Sequence, residues 1–367
     1  MSEIWSKEKA WAWYNARPWM RGCNFMSSDC CNRIDQWQEF GFEERLATAD
    51  VELELAASIG FNSVRMILEF PVWDKEHDGF MKRLDRYLAV CHKHGIDAML
   101  VLANDCSVPK EFFKPAQMGP QTVDVGYHGG RKRSPHMRHA GLSWHILDDP
   151  DTAARYDKMV REVVSEYAHD ERVSVWNIFN EPGNNRENLS LPHMERFFAI
   201  CREIDPIQPL CADVWRGMKD GRPITKIEQR ALELSDIISF HNYHDYETNV
   251  LLIEQLKRYG RPMLNTEWLN RILDNNVAEL YPLFYLEKIG CYNWGFVAGK
   301  YQTYEPWESL WQMVDAGKGA HLDLTKWQHD LMRPSLRPYD PAEVDLIRRF
   351  NRRADERFAA GLETNGG

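Results

Sequence analysis

The sequence predicts a single (β/α)8 TIM barrel spanning residues 1–367, with a long loop after the third strand. Three observations predict it. Helices that stop at glycine alternate with short strands along most of the chain. Several of those strands are nearly continuous apolar runs, the mark of strands buried on both faces. Two strands, 173–182 and 261–268, carry a glutamate at or beside their C-terminal tips. In a parallel barrel those tips are where chemistry sits.

In chain order, PWMRGCNFM (18–26) reads as the first strand. The stretch 47–60 has apolar residues at three- and four-residue spacing and ends at Gly60, so it reads as a helix. FNSVRMILEF (61–70) is the second strand, 83–95 a helix with the same glycine stop, and IDAMLVLAND (96–105) the third strand. The rhythm then breaks. Residues 106–150 hold five glycines, five prolines and four histidines without periodicity, and a loop of that length is usually functional. It follows a strand, so it is expected on the active face, shaping the cleft. His128, His136, His139 and His145 match no metal-ligand spacing, so no metal is expected there.

The helix expected over 151–170 carries Asp151 at its N-terminus. The fourth strand, VSVWNIFNEP (173–182), stops at Pro182, which has no N–H to give a sheet. Helix 191–205, strand 209–215, helix 225–235, strand 236–245 and helix 249–260 follow. RPMLNTEW (261–268) is the seventh strand, 278–290 a helix, 291–300 the eighth strand and 341–359 the final helix. No composition shift asks for a second domain.

Composition narrows the function. The formal net charge is −10 and no basic stripe appears, which argues against nucleic acid. No apolar span is long enough to cross a membrane. The first residues carry charges where a signal peptide needs an apolar core, so a cytoplasmic protein is expected. The eight cysteines show no CxxC spacing and read as buried free thiols. No cofactor motif stands out. The 14 Trp and 14 Tyr suit stacking on sugars, though large cores use them too.

Glu181 and Glu267, at the tips of strands four and seven, face each other across the mouth of an eight-stranded ring. Two carboxyls across a cleft are the minimal apparatus for glycoside hydrolysis. Taken singly, each reads equally as a loop residue pairing with a lysine. Arg65 lies inside an apolar strand and needs a partner: a carboxylate at the mouth, or Glu69. Asn180 is either a donor to a sugar hydroxyl or a loop cap. His241 and Tyr243 share one face of the sixth strand, where Tyr243 is either a donor to Glu267 or a core tyrosine. Trp294 ends strand eight as a candidate floor under a sugar ring, with Trp144, Trp215 and Trp268 as weaker candidates. Lys300, Gln302 and Tyr304 follow at the expected rim, as sugar contacts or as plain loop.

With those residues in place, the chain resembles the large clan of retaining (β/α)8 glycoside hydrolases. That clan includes the family-five cellulases and mannanases, the β-galactosidases and the β-glucuronidases. The tips Asn180-Glu181-Pro182 and Glu267 carry the resemblance. It implies Glu181 as acid/base, Glu267 as nucleophile, Arg65 and Tyr243 as partners of the nucleophile, Asn180 as a contact to the sugar 2-hydroxyl and Trp294 as the subsite floor. His241 matches the strand-six histidine of family-five-like members. One departure stands out: family-five enzymes commonly end strand three in histidine, and here the tip reads Asn104-Asp105.

The expected activity is retaining hydrolysis of β-linked glycosides or oligosaccharides, with a carbohydrate as the partner. The alternatives are a carbohydrate-binding barrel without catalysis and an endo-acting β-glycanase of the cellulase, xylanase or mannanase type. Retention requires the two carboxyls about 5 to 5.5 Å apart.

Overall fold

The computed structural model describes residues 2–106, 113–123, 142–219 and 221–362. Its centre is a ring of parallel strands: β1 (Arg21–Asn24), β2 (Ser63–Ile67), β3 (Asp97–Val101) and β4 (Val173–Asn177). The ring continues through β5, β6 (Ile238–His241), β7 (Met263–Trp268) and β8 (Gly290–Asn293), which pairs back onto β1. β5 comes in two pieces, Leu210–Cys211 on β4 and Asp213–Val214 on β6. A continuous strand was expected over 209–215. The break falls at Ala212, whose N–H donates to Ser235 Oγ at 3.1 Å instead of to a neighbouring strand.

Each strand is followed by a helix that packs outside the ring, as expected. In order these are Phe42–Ser58, His77–Lys93, Pro150–Tyr167, Leu191–Ile204, Lys226–Leu234, Tyr246–Lys257, Val277–Leu286 and Pro341–Ala359. Pro150–Tyr167 shows why such a segment is helical. Asp149 caps it by accepting from Thr152 N–H, and proline opens its first turn. Its inward face then buries Tyr156, Met159, Val160, Val163, Val164 and Tyr167 at helical spacing.

Among the described residues, four further α-helices differ from expectation. Lys7–Asn15 closes the N-terminal end of the barrel, where Trp5, Ala10 and Tyr14 pack on Met99, Val175, Leu264 and Tyr292. Arg33–Trp37, Phe70–Lys75 and Glu308–Asp315 follow β1, β2 and β8. Of the long loop after β3, His128, His136 and His139 lie outside the described residues. Its part 113–123 is tied to the segment after β1, where Asn32 Nδ2 donates to Gln121 Oε1 at 2.9 Å. His145 is buried with Nε2 2.8 Å from the Asn104 carbonyl, and burial pulls its ring down to about 4, so it is neutral. Among the described residues no helix is long and apolar enough to cross a membrane.

Candidate active site

Glu181 sits on a sharp turn just past β4. Its φ is +42°, a conformation that side chains other than glycine and asparagine rarely adopt. The surroundings hold it there. Gly183 follows at φ +83°, and a Cβ on it would meet the Glu187 carbonyl at 2.3 Å. Asp105, from the tip of β3, accepts from Gly183 N–H at 2.7 Å and from Ser190 Oγ at 2.8 Å. Burial pushes the Asp105 carboxyl up to about 6, against those donors and the nearby Arg186. The Asn104-Asp105 tip that departs from the family-five pattern is therefore the brace of the Glu181 turn.

Glu267 reaches the same space by another device. The register of β7 slips between Asn265 and Glu267 against β6, and a bulge also marks its pairing with β8. A bulge re-aims side chains that strict alternation would send to opposite faces. Thr266 Oγ1 lies 2.7 Å from Ser239 Oγ inside the barrel, and Glu267 opens into the cleft beside it. Arg65 Nη1 donates to Glu267 Oε1 and Tyr243 Oη to Glu267 Oε2, both at 2.8 Å. Glu69 pairs with Arg33 instead.

Arg65 is the hub of the floor. Its other bonds run to Asn24 Oδ1 at 2.7 Å, Asn180 Oδ1 at 2.5 Å and Asp213 Oδ2 at 3.0 Å. Asn180 completes its amide by donating to Asn104 Oδ1 at 2.7 Å. Burial works against charge on Asp213, but His241 and Arg65 hold its carboxyl well below the usual carboxylate range.

His241 stands between the carboxylates. Its Nδ1 is 2.9 Å from Glu181 Oε1 and 3.5 Å from Glu267 Oε2, and its Nε2 is 3.4 Å from Asp213 Oδ2. Burial opposes a charged ring, yet Glu267 and Asp213 push it up to about 10. Glu181 Oε2 also accepts from Asn184 Nδ2 at 2.6 Å and from the Cys106 thiol at 3.0 Å. That thiol is pushed well up by burial and by Glu181, so it stays protonated and donates. Burial raises the Glu267 carboxyl too, while His241 and Arg65 pull it back down.

Glu181, His241 and Glu267 each present an atom within 4.8 Å of the others, so the two glutamates are close partners. Two carboxylates and an imidazole form a possible metal set. Here the imidazole is the positive partner of both carboxylates.

These groups line a cleft of about 650 Å³. Arg33, Ile67, Asn104 and Trp294 border it on the β1–β3 and β8 side, and Trp215 and Met218 follow β5. Trp307 reaches in from the segment after β8 and meets Tyr243 edge-on at 5.1 Å. Of the expected site residues, Glu181, Glu267, Asn180, His241, Tyr243 and Trp294 line this space, with Arg65 buried beneath.

Lys300 does not join them, which corrects its placement at the rim. The strand ends at Asn293, Gly295 turns the chain at φ +71°, and Lys300 N–H donates to the Ser28 carbonyl at 2.8 Å. Gln302 and Tyr304 do not line the cleft either, though Tyr301 and Thr303 line a smaller cavity that shares Arg33, Ile67 and Trp294 with it. Trp268 is core, packed on Tyr281 and Phe284, and Trp144 packs on Phe113, whereas Trp215 lines the cleft. Asp213, Cys106, Asn184, Asn24 and Trp307 join the site without a role expected from the sequence. A charge inside an apolar strand was a usable signal for Asp213; the others have none that is local.

No protein-family model matches the chain, and no curated protein matches it in sequence. Solved structures do match in shape. An exo-β-1,4-mannosidase from Opitutaceae bacterium strain TAV5 aligns over 92% of this chain at TM-score 0.54 and 17% identity. The chain spans only 60% of that enzyme's length. A glycoside hydrolase family 5 mannosidase from Rhizomucor miehei aligns over 94% of this chain and 95% of its own, at TM-score 0.56 and 13% identity. An endo-β-1,4-mannanase from Thermotoga petrophila aligns over 95% of this chain and 78% of its own, at TM-score 0.54 and 15% identity. Similarity at this level reports architecture, and the architecture is the (β/α)8 barrel on which these mannosidases and mannanases are built.

Proposed function

We propose that the chain is a single-domain retaining glycoside hydrolase acting on β-linked glycosides. The observation that carries this reading is the pair of carboxylates on the β4 and β7 sides of the mouth, which offer oxygens within 4.8 Å of each other. Oxygens this close suit the short spacing of a retaining pair, about 5 to 5.5 Å between carboxyls, better than the roughly 6.5 to 9.5 Å of an inverting one. Glu267 is the nucleophile: its two oxygens are fixed by Arg65 and Tyr243, which leaves the carboxylate oriented toward the cleft. It attacks the anomeric carbon as Glu181 gives a proton to the departing oxygen. Glu181 then takes a proton from water, and that water releases the sugar from Glu267. His241, charged and 2.9 Å from Glu181, keeps the acid/base in place through both steps. Trp294 supplies a stacking face for the bound ring.

The mannosidases and mannanases among the neighbours make β-mannosides the first substrates to try. Eight free thiols fit a reducing cytoplasm. The test separates the two glutamates. Glu181→Ala should still form the glycosyl-enzyme from a dinitrophenyl glycoside but hydrolyse it slowly. Azide, which needs no general base, should restore its turnover with a product of retained configuration. Glu267→Ala should lose activity on activated and natural substrates alike, and azide could give it only an inverted product. Identical behaviour of the two variants, or exchanged stereochemistry, would show the roles to be wrong.

A further inference from the structure

The cleft does not end at the catalytic residues. Thr248, Leu251, Leu252 and Gln255 on the helix after β6 also line it. Their spacing of three, one and three residues is a single helical face. That helix packs on the barrel through Leu252, Ile253 and Leu256, and Leu252 also borders the cavity beside the more exposed Thr248, Leu251 and Gln255. The cleft thus continues as a side groove along the helix, for about 10 Å from Thr248 to Gln255 at 1.5 Å per residue.

The helix face of the groove is largely apolar. Met218 after β5 and Leu273 after β7 line it with Leu251 and Leu252. Leu251 is 58% exposed. A lone exposed leucine needs no explanation, but this one faces a cavity continuous with the catalytic carboxylates. The groove also lies on the side of the acid/base. Trp215 Nε1 donates to the Pro182 carbonyl at 3.1 Å, so the indole rests against the Glu181 turn. Glu181, Trp215 and the leucines line one cavity, so a group released at Glu181 has open space toward the helix.

A further sugar would fit this lining poorly. Each hydroxyl that leaves water needs a replacement hydrogen bond, and here only Thr248 and Gln255 offer polar side chains along the helix face. The polar lining lies off this helix face, in Arg33, Asn104, Asn180, Arg216, Asn242 and His244.

We propose that the side groove binds the apolar aglycone, an alkyl or aryl group, of the β-glycoside that this chain cleaves. The proposal rests on the glycosidase reading above.

The test uses methyl, benzyl and octyl β-glycosides of mannose, glucose and galactose, whose leaving alcohols are of similar acidity, below micelle-forming concentrations. For the sugar that is cleaved, kcat/KM for the octyl and benzyl glycosides should exceed that for the methyl glycoside by roughly tenfold or more, mainly through KM. Leu251→Asp should bring that ratio toward one. The octyl and benzyl arms distinguish a chain from a ring. A wild-type ratio near one, a ratio unmoved by Leu251→Asp, or preference for a disaccharide of the same sugar over its octyl glycoside overturns the proposal. Failure of the glycosidase reading looks different, since no glycoside in the panel is then cleaved. In that event octanol still probes the groove. A saturable change in tryptophan fluorescence that Leu251→Asp abolishes keeps the apolar site, and no saturable change removes it.

Discussion

Arg65 and Asp213 are both fully buried and ion-paired: Asp213 is the first charge that sustains Arg65, while His241 and then Arg65 sustain Asp213. Removing one partner of such a pair strands the other. Asp213→Asn keeps the shape, so its effect isolates the charge. It should lower stability by about 3 kcal/mol, read by urea denaturation. His241 loses a counter-charge in the same variant. Its proton, held up to about 10 by Glu267 and Asp213, should then leave at lower pH. The alkaline limb of kcat/KM should therefore move to lower pH, and an unmoved limb would deny Asp213 that part.

At this scale the sequence was legible wherever a residue conflicted with its surroundings. Arginine in an apolar strand and glutamates at two strand tips are such conflicts. Asp213 is the same kind of conflict, and the rule applied to Arg65 would have found it. Lys300 is not among the cleft-lining residues because order along the chain is not position: its backbone is bonded instead to Ser28 in the segment after β1. Trp307 was missed because it returns to Tyr243 from far along the chain, and no local pattern records such a return.

Among elements, β1 and β2 approach so closely that Gly22 has no room for a side chain. A Cβ there would lie 1.6 Å from the Ser63 carbonyl oxygen, which is backbone and cannot yield. Gly22→Ala should therefore cost several times the roughly 1 kcal/mol of an ordinary glycine effect, seen as a large fall in Tm. The helix Phe42–Ser58 carries a different tension. Glu52 is buried in it, accepts from Ser28 N–H, and is pushed up to about 8, first by burial. Between about 4.5 and about 8 the unfolded chain releases this proton while the folded chain keeps it. The folded state binds more protons there, so stability falls as pH rises through that window. Tm should drop from pH 5 to pH 8, and Glu52→Gln should flatten the drop. Asp330, raised to about 7 by burial, leaves a residual slope of the same sign. Helices and strands were legible because their periods and glycine stops are local. The break in β5 was not, because it depends on Ser235 capturing one N–H from another segment.

Over the whole molecule, seven of the eight cysteines are buried and only Cys106 is partly accessible, in the cleft beside Glu181. Native protein should titrate one thiol per chain, slowly because that thiol is pushed well up, and denatured protein should titrate eight. Loss of activity should follow the first thiol, since any adduct there crowds Glu181. Two thiols reacting together without loss of activity would contradict the arrangement.

The divided strand also sets how the barrel moves. β2 and β3 share five register pairs, whereas each half of β5 shares two with its neighbour. The ring is thinnest there, and a closed ring breathes where it is thinnest. Amide hydrogen exchange from Cys211 to Val214 should outpace exchange in every other barrel strand. Asp213 belongs to that seam and also braces Arg65, which grips Glu267. Each opening of the seam therefore loosens the nucleophile, so the local opening rate and the fraction of time the site stands assembled share one physical origin.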